Sequence, residues 1–271
     1  MTNLQIPPTA YVSTSSTKPI ELYAFLDPMC SSCWNLQPIL RKLQVDYEQY
    51  FTLRIVLSTQ LSSLNSRCTH VEEDGFSHPA LPSVAVKAAE LQGKRAGVRF
   101  LQQLQEQVFL DTKNVSTYQV LMDIAEKANL DIAEFESDIK SKEASRALQC
   151  DLYISREMDV SEVPSLVFFN ERIEDEGLKV CGVYDYQVYE SILEEMLEEK
   201  IVPQEPPALE DLFKRYNTLS TNEIAAIYGV TSYAAERELK KRMLLQELER
   251  IPVANNVQWR LKQYTNQYKN S

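Results

Sequence analysis

The sequence predicts an α/β protein with a long helical insertion, followed by a small, mostly helical module. Three observations predict it. The stretch "FLDPMCSSCW", residues 25–34, sits between a strand-like apolar run and a helical run, and a second alternating run follows. Residues 79–158 carry a helical pattern almost throughout before the next strand pattern begins. Finally, the proline cluster in "IVPQEPPALED" coincides with a change in the sign of the charge.

Taken in chain order, residues 1–18 are rich in Ser, Thr and Pro and are expected to be disordered. Residues 20–26 read as a strand entering the dithiol, and residues 34–47 as the helix leaving it, with a kink expected at Pro38. Leu53, Ile55 and Leu57 alternate in a second strand. Strand, helix and strand in that order favour a parallel pair, because the crossover returns the chain to the same end of the sheet. Residues 59–79 read as a polar loop. Helices follow from Leu81 to Met158, with Asp131 and Glu134 spaced as a capping box. Residues 163–170 are expected to be a strand, Gly177 turns the chain into another ending at Cys181, and residues 184–197 form a helix with an acidic outer face.

Pro203, Pro206 and Pro207 make residues 201–208 a stiff connector and the predicted domain boundary. Beyond it, two helical stretches meet at Gly229, with Ser220 or Thr221 as the cap of the first, and "NNVQWRL" has the pattern of a strand. Residues 209–271 therefore read as a helix–turn–helix or winged-helix-like module. Its second helix alternates Glu236 and Glu238 with Arg237, Lys240, Lys241 and Arg242, and such mixed signs oppose contact with DNA phosphates.

Composition narrows the function classes. With 44% hydrophobic and 25% charged residues, the chain has the make-up of a soluble globular protein. No apolar run reaches the roughly 18 residues that suggest a membrane span, and the N-terminal residues lack the pattern of a signal peptide. Five cysteines at irregular spacing are not a secreted disulfide framework, so a cytoplasmic location is expected. Net charge is −11. Residues 203–271 carry 10 basic and 8 acidic residues, whereas the preceding part carries 18 and 31. An acidic body disfavours nonspecific nucleic-acid binding.

The chemistry centres on Cys30 and Cys33. A first cysteine where a helix begins faces backbone N–H groups that stabilise a thiolate, and a second one turn later can close a disulfide. Zinc is the other reading of a Cys-x-x-Cys pair. It needs further ligands, which Cys68, His70 and His78 in one loop could supply. Nothing else in the spacing calls for zinc, and no metal or cofactor is expected. Cys150, among Ala147, Leu148 and Ile154, reads as a buried small hydrophobe, and so does Cys181.

"DPMCSSCW" together with "EVPSLVFF" resembles the thioredoxin fold, and the long helical insertion between the two motifs resembles its DsbA type. The resemblance implies that Val163 and Pro164 form a cis-proline loop against the dithiol. Two departures count against a tuned oxidoreductase. Ser31 and Ser32 stand where strong oxidants of this type carry proline and histidine, and Ala24 stands where a buried carboxylate serves as proton acceptor. The order of parts, with "KAAELQGKRAG", "ALQCDLYISREMDVS" and "DEGLKVCGVYDYQVYE" ahead of a proline linker and a helical module, resembles the SpxH/YjbH adaptor family of Gram-positive bacteria. That resemblance implies a non-catalytic adaptor that binds the transcriptional regulator Spx and presents it to the ClpXP protease. On this reading Cys30 and Cys33 serve as a stress sensor, and Met29, Trp34 and Pro164 form a partner groove. The alternatives are a cytosolic dithiol-disulfide oxidoreductase with Cys30 as nucleophile, and a redox-responsive DNA-binding regulator.

Overall fold

A computed structural model of the chain describes residues 18–58, 80–110, 114–170, 177–253 and 256–262. The expected N-terminal disorder, the 59–79 loop and its Cys68, His70 and His78 lie outside the described residues.

Strand β1 (Ile20–Leu26) leads into helix α1 (Ser31–Tyr47), and β2 (Phe51–Leu57) returns beside β1 in parallel register. Pro38 lies inside α1 on its exposed side, and the helix continues beyond it to Tyr47. Among the described residues five helices come next: α2 (Leu81–Leu91), α3 (Lys94–Phe109), α4 (Tyr118–Lys127), α5 (Ile132–Asp138) and α6 (Lys142–Glu157). Gly97 lets α2 and α3 approach closely, since a Cβ there would lie 3.0 Å from Glu90 Cβ. Strands β3 (Ser165–Asn170) and β4 (Leu178–Cys181) complete a sheet of order β2-β1-β3-β4, with β3 antiparallel to both neighbours. Helix α7 (Tyr186–Leu197) closes this part. Its core gathers Leu22, Leu26, Leu36, Phe100, Phe135, Phe168 and neighbours around the sheet.

Helix α6 overturns one expectation. Its buried stripe is Ala144, Leu148, Asp151 and Ser155, the i, i+4, i+7, i+11 positions of one face. Cys150 falls off that stripe and is exposed, so it is no core residue. Cys181, on the outermost strand β4, is only half-buried.

Residues 201–207 have no regular structure but are tied down. Gln204 N–H donates to Asp46 O at 2.7 Å, Val202 N–H to Tyr50 Oη at 3.2 Å, and Gln49 Nε2 to Val202 O at 2.9 Å. The chain then forms α8 (Leu209–Tyr216), β5 (Thr218–Ser220), α9 (Thr221–Tyr228), α10 (Ser232–Leu244), β6 (Leu248–Val253) and β7 (Asn256–Leu261). The three strands pair in the order β5-β7-β6. Ser220 caps α9 with a reciprocal bond from Glu223, and Gly229 takes φ +62° to turn the chain towards α10. A second core centres on Trp259, with Leu212, Phe213, Leu219, Ile224 and Leu239, and it takes in Val45 of α1. The antiparallel sheet makes this segment less helical than the sequence implied.

Candidate functional site

Asp27 shapes the dithiol loop with its backbone and its carboxylate. Its carbonyl accepts Cys30 N–H at 3.1 Å, its Oδ1 accepts Met29 N–H at 2.7 Å, and its own N–H donates to Cys33 Sγ at 3.4 Å. Cys30 is the N-cap of α1; its Sγ accepts Cys33 N–H at 3.4 Å, satisfying one of the free donors of the first turn. Cys30 is half-buried, and its thiol faces Val163 O at 3.9 Å. The Val163–Pro164 peptide bond is cis. Cys33 is fully buried, and that burial pushes its thiol well above the usual range, against the pull of the Asp27 N–H and with Cys30 adding to the rise.

The sequence-singled residues Met29, Cys30, Cys33, Val163 and Pro164 thus meet at one end of the sheet. Trp34 is half-buried and stacks on Phe109 of α3, with ring centroids 5.9 Å apart and 22° between planes. That contact joins the helical insertion to the edge of the dithiol. Ala24 is fully buried in the sheet, opposite Ile55 and Leu166, so no acid occupies the point where a proton acceptor would stand. Ser31 and Ser32 are exposed and place no imidazole beside Cys30. Chemically, the arrangement offers one accessible thiol and one that resists ionisation near neutral pH. Asp27 was not singled out from sequence, although an Asp two residues ahead of Met29 is the pattern of an Asx turn.

The joint between the two cores was also missed. Arg41 Nη1 donates to Glu223 Oε1 at 2.6 Å, with both side chains buried, and lies over the Tyr216 ring at 5.6 Å. Gln102 Nε2 donates to Tyr216 O at 2.5 Å, while Thr218 Oγ1 donates to Glu106. Burial pushes the Glu106 carboxyl above its ordinary range, against the pull of Thr218 and Arg41. Burial likewise pushes the Tyr216 phenol up to about 12. Along α10 the charges largely pair among themselves, as Lys240 does with Glu236 and Arg242 with Glu238.

Among the described residues no group of three or more His, Cys, Asp or Glu side chains is placed to hold a metal ion, and no helix is long and apolar enough to cross a membrane.

A four-stranded sheet with a cis-proline facing a dithiol at a helix start defines a thioredoxin-fold protein of DsbA-like type. The thioredoxin family model matches residues 23–191. Alpha-DsbA1 of Wolbachia pipientis superposes with a TM-score of 0.52 at 12% identity, over 68% of this chain and 88% of that one. The ClpXP adapter protein SpxH of Bacillus subtilis is 39% identical over 93% of this chain and 92% of its own length. The protein of the same name from Halalkalibacterium halodurans is 41% identical over 90% and 89%. The chain belongs to the SpxH family of ClpXP adapter proteins.

Proposed function

We propose that this protein is a cytoplasmic adaptor that binds an Spx-type transcriptional regulator and promotes its degradation by ClpXP, with no catalysis of its own. One observation carries the reading: the likeness to relatives named as ClpXP adapters extends over 93% of the chain and so includes the segment beyond the thioredoxin-like part. The muted thiol pair supports it, since Cys33 is held protonated by burial and neither Ala24 nor Ser31 supplies a proton acceptor. Cys30 and Cys33 then act as a redox sensor and not as a turnover site.

On this reading residues 19–200 form the DsbA-like body with its helical insertion at about 79–158, residues 201–208 the connector, and residues 209–271 a winged-helix-like contact module. The groove beside Met29, Trp34 and Pro164 is the proposed client surface on the body. The test is a reconstituted degradation assay with ClpXP, an Spx-type substrate and an unrelated control. Faster loss of the Spx-type substrate alone is expected. No acceleration, together with rapid disulfide turnover on a model peptide, would replace the adaptor by a dithiol-disulfide oxidoreductase.

A further inference from the structure

Helix α10 buries Ala235 and Leu239 against the second core, and its opposite side is unlike an ordinary solvated face. Tyr233, Arg237, Lys240 and Leu244 recur at i, i+4, i+7 and i+11 and form one exposed stripe. Tyr233 is 78% exposed and Leu244 76%, with Leu245 beside it at 59%. Large apolar side chains grouped in water mark a contact surface. These three border one hollow of about 510 Å³, with Arg237, Lys240 and Lys241 between them. At roughly 30 Å³ per heavy atom, the share one water takes in the liquid, it has room for about four leucine side chains. One residue of a partner could not fill it.

The charges of this region do not cancel. Residues 232–261 carry 6 basic and 4 acidic residues. Each acid already has a cation: Glu236 has Lys240, Glu238 and Glu247 share Arg242, and Glu249 has Arg260. Lys241 reaches Glu238 only at 3.9 Å, whereas Arg242 lies 3.1 Å from it. Arg250 of β6 adds its charge near Glu236, which Lys240 already holds. Arg237, exposed in the middle of the stripe, makes no ion pair among the described residues. Within a chain of net charge −11, the stripe is a local excess of positive charge between two apolar ends.

Those ends, Tyr233 and Leu244, lie about 16 Å apart along the axis. We infer that the stripe docks an acidic amphipathic helix of a partner protein, with apolar residues at i and i+11 and carboxylates at i+4 and i+7. That pattern reads the same in both directions, so it meets the stripe whether the two helices run parallel or antiparallel. DNA phosphates would leave both apolar ends uncovered, and the acidic body repels an anionic bilayer. The inference deepens, and rests on, the reading of residues 209–271 as a contact module. Peptide binding is measured without ClpXP, so a failure here beside accelerated degradation there strikes the stripe alone.

Fluorescence anisotropy of the full chain with a labelled helical peptide of about sixteen residues tests the stripe. The peptide carries Leu, Glu, Glu and Leu at i, i+4, i+7 and i+11 in an alanine–glutamine background. At low salt, saturable binding with Kd on the order of 0.1 mM is expected. Replacing both Glu of the peptide by Gln should weaken it about tenfold. Arg237→Glu should weaken the Glu peptide about fivefold and leave the Gln peptide unchanged. Tyr233→Ala combined with Leu244→Ala should abolish binding of both peptides, and the exposure of these positions keeps the fold out of the result. Absence of saturation, or binding that survives the double Ala variant, would overturn the docking surface. Equal affinity for the Glu and Gln peptides would overturn the acidic partner. Binding of duplex DNA or of phosphatidylglycerol vesicles, lost in Arg237→Glu and without peptide binding, would assign the stripe to phosphates and overturn the proposal. Dimerisation in sedimentation that Tyr233→Ala removes, again without peptide binding, would assign it to a second copy and do the same.

Discussion

Replacing Arg41 by Ala should loosen the second core from the first by a measurable and separable amount. The Arg41 guanidinium and the Glu223 carboxylate lie 2.6 Å apart with side chains 6% and 7% exposed, so water replaces neither partner when the other is removed. Removing one member of such a pair costs about 3–5 kcal/mol, because an uncompensated charge stays buried. Here Glu223 Oε2 keeps the Ser220 N–H at 2.8 Å, which places the expected loss near the lower end, about 3 kcal/mol. Loss of the guanidinium from the Tyr216 face adds about 0.5–1 kcal/mol. The double change Arg41→Met, Glu223→Gln removes both charges, and Gln at the third helical position still closes the capping box. It should recover most of the loss, to within about 1 kcal/mol of wild type. Urea titration followed by tryptophan fluorescence reads both sides, since Trp259 reports the second core and Trp34 the first. A loss below about 1 kcal/mol in the single variant, or a double variant as weak as the single one, would refute this account of the joint.

Iodoacetamide at neutral pH should label Cys30 and Cys150 in the native protein and reach Cys33 only on unfolding, as mass mapping would show; native labelling of Cys33 would contradict its raised thiol. The double change Cys30→Ser, Cys33→Ser should keep most of the acceleration in the ClpXP assay, because two small side chains contribute little contact area; its loss with binding intact would bring thiol exchange into the mechanism. Glu106 is held protonated more readily in the folded protein than in the unfolded chain, so wild-type stability should fall as pH rises from about 4.5 through the raised value. Glu106→Gln should therefore melt higher than wild type at pH 7, with the gap closing at pH 4; a gap independent of pH would remove the assignment. Trp259→Ala, which empties the centre of the second core and frees Thr221, should cost about 3–5 kcal/mol by urea titration followed by circular dichroism, with a smaller shift in the transition that Trp34 fluorescence reports for the first core.

The parts that were legible in the sequence are those with local signals. The strand at Ile20–Leu26, the cap at Ser220 and the turn at Gly229 each depend on a few adjacent residues. The dithiol and Pro164 were legible as a pair because their residue types serve few other purposes. Long-range charge pairing was not. Arg41 and Glu223 are 182 positions apart and each reads alone as a surface charge. Cys150 misled because its apolar neighbours in sequence are not its neighbours in direction: the buried stripe of α6 passes through Leu148 and Asp151 and leaves position 150 outside. Strands β5 and β6 were hidden by length and composition, since β5 has three residues and β6 carries Glu249, Arg250 and Pro252.

The strap at residues 201–207 has a consequence for recognition. It is tied to the end of α1 through Gln204 and Val202, and Tyr228 Oη donates to Pro207 O at 2.7 Å from the other side. With a slack tether, a ligand that engages one core finds the other at an effective concentration set by the tether's spread of lengths. A strap anchored at both ends narrows that spread to nearly one value. A client whose two contact patches match that separation gains the second contact without losing tether entropy, and one whose patches differ by a few ångströms gains nothing from it. Selectivity can therefore reside in a distance as well as in the chemistry of either surface.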